Sequence, residues 1–479
     1  MRDAPGRQDD SMATADRALS DWGGAPQLSA WEALMWRAEG SPRTRSAGVV
    51  VELLESEPEW ERLVAAHWKL IRRIPRLGER VVEPLLPLVM PVWAADPAFD
   101  LSYHLQQVRV PGAGSLEELN ELVAAFAAQP RDPRRPPWEA VLVCGIAGGK
   151  SAYLLKLHHS LCDGLGMLQL LDLTHGHGPQ SRDLGRVPVP ARGTTDNPAR
   201  LLVRGLRDQL ASAPGELLRV SVDAAARFRA DPVGAAAGAL RFADSLRRIL
   251  ATPPASGSAV WRDRGIGYRV LTLNVPLGGL KAAGRAAGGS VNDAFLAALL
   301  GAVRHYHERV GAVVGDIPMA IPVSLRTDRD PLGGNRFAGA RFAAPAGEAD
   351  PRARIMAIHD VIAGARAEPA IGFPDLIAPL LSRLPGALLT DIAATMTEGT
   401  DVQASNMGGV GRTLYLAGAR VSHIYPVGPR PGVAAMVTMV SYRETCCVAV
   451  NLDPEAISDV PGFADCLRTG FDEVLELAD

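Results

Sequence analysis

The stretch His158-His159-Ser160-Leu161-Cys162-Asp163-Gly164 carries the residue types and spacing best suited to proton chemistry in this 479-residue chain. A histidine titrates near neutral pH, so it takes and returns a proton without extreme tuning. Asp163, four residues beyond His159, stands where it would cap a following helix or hold the loop through an arginine elsewhere. Gly164 would let the backbone turn or another group approach closely. No G-x-S-x-G nucleophile pattern lies nearby, and Cys162 is on the apolar side of the motif. The simplest chemistry is a general base acting directly on a substrate hydroxyl. Two other readings are a structural histidine pair and a metal site of His158, His159 and Asp163. Neighbouring residues of an extended segment point to opposite sides, which disfavours two adjacent histidines on one ion, so no metal is expected.

Positioning these side chains requires a strand-to-helix corner, the kind of exposed loop on packed flanks where α/β folds commonly present reactive groups. Tyr153 to Leu157 reads as a strand, apolar or β-favouring apart from Lys156, and Leu165, Leu168 and Leu171 repeat at helical spacing. The strand Ala140–Ile146, entered through Trp138, pairs with it as a hairpin over Gly145–Lys150. Upstream lie a helix over Leu28–Glu39 capped by Ser29, a strand over Ala47–Leu54, a helix over Pro58–Arg73, mixed turn and strand over Val92–Val108, and a helix from Ser115 to Ala128. Downstream, a strand over Tyr268–Val275 precedes a helix that opens on a Ser290/Asp293 capping box and runs to Val310, with Asn292 in its first turn. A strand then ends at Ser324 and Arg326, before a glycine-rich turn through Asn335. Residues 350–398 read as two or three helices broken at Pro374 and Pro385, and Gln403–Gly411 as a polar, glycine-rich loop. A hairpin of Val433–Tyr442 and Cys446–Leu452 and a last helix end the chain. The expected division is a tail at 1–20, an N-terminal domain at 21–178, a linker and connecting helices at 179–258, and a second domain at 259–479.

Hydrophobic residues make up 47% and charged residues 22%, ordinary for a water-soluble globular protein, and the length suffices for two domains with real cores. A net charge of −3 gives no global field that would draw nucleic acid. The five cysteines, Cys144, Cys162, Cys446, Cys447 and Cys466, form no C-x-x-C and mostly sit in apolar runs, which fits reduced thiols in the cytoplasm. With no run of about 20 apolar residues, any membrane contact is expected to be peripheral, at the inner membrane or on lipid droplets. The leucine stripe within residues 198–251 would suit a bilayer surface, although a connecting segment packed on the body is the preferred reading.

The histidine motif resembles the active-site signature of CoA-dependent acyltransferases, the superfamily of chloramphenicol acetyltransferase and peptide-synthetase condensation domains. Further landmarks resemble one branch, the bacterial wax ester synthase/diacylglycerol acyltransferases: WEALMWRAE, DPAFDLSYHL, RRPPWE, SVNDAFLAAL, PVSLR followed by GGN, SNMGG, LYLAGARV and SYRE. They run in the family's order from about residue 26 to 475. The resemblance implies an α/β fold of two chloramphenicol-acetyltransferase-like domains, each a mixed sheet with helices, with a channel between them. It implies transfer of a long-chain acyl group from acyl-CoA, as co-substrate, to diacylglycerol or a long-chain alcohol, without a cofactor. His159 is then the general base, with His158 and Asp163 orienting the loop. Gly164, Asn292, Ser324, Arg326, Ser405, Asn406 and Trp138 are the expected substrate-binding residues, Asn292 and Ser405-Asn406 falling in motifs that line the family's channel. Arg326 is also a candidate partner for Asp163. Where the family has Pro-Leu-Trp and Ser-Asn-Val-Pro-Gly, this chain has Pro136-Pro137-Trp138 and Ser405-Asn406-Met407-Gly408-Gly409, differences that bear on acceptor choice. Two other readings keep the fold: an acyltransferase acting on a carrier-protein thioester or a secondary-metabolite hydroxyl, and a non-catalytic lipid-binding protein.

Overall fold

Two six-stranded sheets, each containing a tight antiparallel hairpin, organise the computed structural model of the chain. It describes residues 21–176, 178–179, 197–209, 211, 229–234, 237–238, 240–241, 244–245, 257–327, 330–368 and 373–478. The expected tail at 1–20 and most of the expected connecting segment at 179–258 lie outside the described residues.

In the first half, Ser29 and Glu32 cap helix α1 (Ala30–Arg37) reciprocally. Strand β1 (Ala47–Leu54) and helix α2 (Trp60–Arg73) follow. Strands β2 (Glu79–Val82) and β3 (Val92–Ala95) form a separate ribbon. Strand β4 (Leu105–Arg109) then leads to helix α3 (Leu116–Ala128), boxed by Ser115 and Glu118. The hairpin of β5 (Trp138–Ile146) and β6 (Lys150–His158) runs into helix α4 (Gly164–Thr174). Strand β6 is buried beyond Lys150. Its exception to apolarity, Lys156, donates to the carbonyls of Phe126 (3.0 Å) and Gln129 (2.7 Å) at the end of α3. There a cation adds donors to carbonyls at the negative end of the helix dipole.

The second half comprises β7 (Arg269–Pro276), α5 (Leu277–Ala286), α6 (Val291–Arg309), β8 (Ile317–Ser324), β9 (Phe337–Ala344), α7 (Pro351–Arg366), α8 (Phe373–Leu381), α9 (Gly386–Glu398), β10 (Val402–Val410), β11 (Tyr415–Leu416), β12 (Ala419–Val427), β13 (Ala435–Tyr442), β14 (Thr445–Leu452) and α10 (Val460–Leu475). Its sheet has the order β7-β14-β13-β10-β8-β9. Helix α6, buried from Asp293 to Val303, packs on α10 so closely that a Cβ at Gly470 would lie 2.4 Å from the Ala298 carbonyl. Among the described residues no single helix is long and apolar enough to cross a membrane; α5 and α6 reach that measure only jointly, across a 93° bend.

Two findings depart from the sequence reading. The expected loop at Gln403–Gly411 is mostly strand β10, which lies parallel to β13 with an irregularity between Asn406 and Gly409. A bulge absorbs the glycines there, so pairing with neighbouring strands overrides their poor strand propensity. The second departure is topological. Strands β11 and β12 leave their own half and extend the first sheet, whose order is β11-β12-β1-β6-β5-β4, with Val49 opposite Val427 and Glu52 opposite Ile424.

Candidate active site

Strand β6 runs between β1 and β5, so its last residue, His158, is anchored from both sides. The His158 amide donates to the Pro137 carbonyl (3.0 Å), the His159 amide to the Ser46 carbonyl (2.9 Å), and the Leu161 amide closes a turn on His158 (2.9 Å). Asp163 then caps α4, its Oδ1 accepting from the Gly166 amide at 2.9 Å.

The second half of the chain completes this corner. Residues 333–336, just before β9, lie along 159–163. Asn335 Nδ2 donates to the His159 carbonyl (2.7 Å), the Asp163 amide to the Gly334 carbonyl (2.9 Å), and the Arg336 amide to Asp163 Oδ2 (3.1 Å). Arg326 pairs with the same Oδ2 through Nε (3.1 Å) and Nη2 (2.9 Å). It also donates to the carbonyls of Pro331, Gly333 and Gly334. A largely buried ion pair of this kind holds only when the remaining donors are satisfied, as they are here.

The two imidazoles sit in different environments. His158 is buried, edge-on to Trp36 with ring centroids 5.5 Å apart. Its Nδ1 accepts from the Ser160 amide at 3.0 Å. An amide only donates, so Nε2 carries the proton of the neutral ring, and it lies 3.1 Å from Glu39 Oε1. Glu39 also accepts from the Ser46 amide (2.8 Å) and from Arg131 Nε (2.7 Å), and the Arg131 guanidinium stacks 3.4 Å over Trp36. Burial alone would raise the Glu39 carboxyl, but His158, Arg131 and the Ser46 amide outweigh it and hold its pKa at about 2. His159 is half-buried, with the Phe337 ring 6.0 Å away. Its Nδ1 is enclosed without a partner among the described residues. Burial, helped by neighbouring His158 and opposed by Asp163, lowers the His159 pKa to about 4. The ring is therefore neutral at neutral pH, the form a base needs. Burial, reinforced by Asp163, drives the Cys162 thiol far upward, which removes it as a nucleophile.

The structure thus brings His158, His159, Asp163, Gly164 and Arg326 together. Gly164 faces Met407 of β10, where an added Cβ would lie 3.2 Å from Cγ. Ser405 is half-buried in the same strand, and Asn406 is exposed, accepting from the Gly408 amide at 3.3 Å. The other expected binding residues stand elsewhere or have partners of their own. Trp138 is a core side chain, 4% exposed, stacked on His104 at 4.7 Å with its indole N–H on the Leu77 carbonyl, and it frames the corner. Arg326 has its donors engaged within the corner. Ser324 is exposed at the end of β8 and accepts from the Arg326 amide at 3.3 Å. Asn292 lies in the helical layer of the second half, next to Asp293, which contacts His359 at 2.9 Å. Glu39, Ser46 and Asn335 escape the sequence reading. Nothing in the local pattern marks the first two, whereas Asn335 ends a glycine-rich turn that the sequence does reveal. A cavity of about 620 Å³ opens on the His158 side, against Trp36, Glu39, Arg45, Arg131, Pro87 and Pro385; His159 is not in its wall.

Comparison with known proteins gives a consistent picture. Residues 28–295 match the catalytic-domain model of the wax ester synthase/diacylglycerol acyltransferases, and residues 333–475 match their C-terminal domain. A Mycobacterium tuberculosis protein provisionally named a diacylglycerol O-acyltransferase is 38% identical over 471 residues, 96% of this chain and 94% of that one. The wax ester synthase/diacylglycerol acyltransferase of Marinobacter aquaeolei VT8 shares the fold at 21% identity, with a TM-score of 0.59 over 97% of this chain and 98% of that one. So does the first condensation domain of the calcium-dependent antibiotic synthetase, at 15% identity and a TM-score of 0.59 over 94% and 96%.

Proposed function

Because this chain belongs to the wax ester synthase/diacylglycerol acyltransferase family, we propose that it moves a long-chain acyl group from acyl-CoA to diacylglycerol or a long-chain alcohol, with His159 as general base. The observation that carries the assignment is the neutral, half-buried His159 ring at a corner built jointly by both halves of the chain. As the acceptor oxygen attacks the thioester carbon, His159 takes the hydroxyl proton. The tetrahedral carbon then expels the CoA sulfur, and His159 returns the proton to it. A thioester is already activated, so alignment of donor and acceptor supplies much of the remaining rate, and no cofactor is required. The oxyanion needs a donor. No residue of this corner is assigned to it.

Insoluble acceptors also imply contact with a lipid surface. Leu85, Leu86, Leu88, Val203 and Leu380 are all exposed, on three adjoining segments. The Leu85 amide donates to Pro198 at 3.2 Å, at the start of the helical residues 198–209, and Arg383 Nε donates to the Leu88 carbonyl at 3.3 Å. This supports a peripheral seat on a membrane or a lipid droplet.

The test is His159→Ala with radiolabelled acyl-CoA and diacylglycerol or hexadecanol. Transfer is expected to be lost, while melting stays within a few degrees of the parent. Turnover like that of the unmodified protein would remove the base assignment.

A further inference from the structure

We infer that Glu39 is a positioning residue for the reaction: one carboxylate sets both the ring of His158 and the peptide that carries His159. The inference rests on His159 being the base. Its geometry is a fork. Oε1 accepts from the Ser46 amide at 2.8 Å and lies 3.1 Å from His158 Nε2, while Oε2 accepts from Arg131 Nε at 2.7 Å. Ser46 in turn accepts the His159 amide through its carbonyl at 2.9 Å. The carboxylate therefore reaches the base along two routes, through the adjacent imidazole and through the neighbouring strand.

The fork is rigid. Glu39 and Arg131 are both largely buried, with side-chain exposures of 11% and 12%. Arg131 is pressed on Trp36, and Trp36 lies edge-on to His158. A single deletion would loosen several of these contacts together. The charge also stands beside the protonated nitrogen of the neighbouring ring. With Nδ1 of His158 occupied by the Ser160 amide, Nε2 carries the proton, and the Glu39 carboxylate is the charge beside it, 3.1 Å away. An amide at this position is at odds with the arrangement. Its NH₂ would meet the Nε2 proton donor to donor, and turning it over would present the same NH₂ to Arg131.

The experiment compares Glu39→Gln and Glu39→Asp with the unmodified enzyme, using acyl-CoA and a soluble long-chain alcohol. Small misplacement of a reacting group costs up to about 100-fold. For Glu39→Gln, kcat is expected to fall by about 10- to 100-fold with both KM values within about threefold, and Glu39→Asp is expected to recover part of the loss. Histidine ¹⁵N NMR should report a shifted His158 Nε2–H resonance in Glu39→Gln, with Nδ1 still unprotonated against the Ser160 amide, a change that a merely structural role would not produce. In a His159→Ala background, Glu39→Gln should lower the residual rate no further, as residues acting through one group are not additive. If Glu39→Gln does not fold, Glu39→Asp carries the kinetic comparison, its shorter side chain withdrawing the carboxylate from the Ser46 amide and lowering kcat by a smaller factor, about two- to tenfold. A folded variant with kcat within twofold of the parent and an unchanged His158 Nε2 resonance overturns the inference. If His159→Ala itself proves active, the base assignment falls first, and the two failures are told apart.

Discussion

If His159 is the base, its pKa of about 4 makes the acyl transfer insensitive to pH across the usual range. His159 should stay unprotonated from neutral pH down to about pH 5. The expected kcat/KM profile for a soluble alcohol acceptor is therefore level from about pH 8 to 5, with an acid limb near 4. A limb at 6.5, the value of an unperturbed histidine, would contradict the environment described for this ring. The same shifts govern stability. Among the described residues, His67, His104, His158, His159, His307 and His423 are lowered, chiefly by burial, and His175 and His359 are raised. A lowered histidine binds fewer protons folded than unfolded, so its contribution is lost as pH falls from about 6.5 toward the folded value. The two raised groups act in the opposite sense and are outnumbered. The melting temperature is expected to drop between pH 7 and 4.5, measured by calorimetry. At this scale the sequence reveals His159 and Asp163 because the motif is contiguous. Glu39 is not legible, since its importance arises only where α1, β1 and β6 meet.

The strand-to-helix corner from β6 to α4 is the element on which the chemistry turns, and its tolerance to added bulk is graded. A Cβ at Gly164 would press on the flexible Met407 side chain at 3.2 Å. At Gly166 it would meet Cys162 Cβ at 2.7 Å and the Gly333 backbone at 3.2 Å. Gly166→Ala should cost about 1–3 kcal/mol, the range for overpacking, and Gly164→Ala less, by denaturant unfolding. Asp163→Ala should cost more than either, about 3–5 kcal/mol, because it strands a largely buried Arg326. Adding Arg326→Met to Asp163→Ala should return part of that loss. Element by element, the early helices, the central hairpin and the capping boxes can be read from local pattern, since caps and periodicity are written within a few residues. Strands β9 and β12 cannot: FAGARFAA is mostly small residues, and ARVSHIYPV gains its role only from pairing with β1. The glycines of β10 mislead for the same reason.

At the scale of the whole molecule, one face and one crossing matter. If Leu85, Leu86 and Leu380 seat the enzyme on lipid, replacing all three with serine should reduce co-sedimentation with anionic phospholipid vesicles at least tenfold. Activity on a soluble alcohol acceptor should remain within about twofold. Unchanged sedimentation would sink the surface assignment. The crossing concerns β11 and β12. Sequence order suggests two self-contained halves, and the family's catalytic-domain match stops at residue 295. Yet β1 pairs with β12 on one side, and the carbonyl of His159 is held by Asn335. A polypeptide ending near 295 would therefore carry both histidines but leave β1 with a bare row of amides and carbonyls. Such an edge invites pairing between molecules. That fragment should form polymers by light scattering and turn over no thioester, although every residue of its signature motif is present. What is named as the enzyme's catalytic portion is, in physical terms, an unfinished sheet.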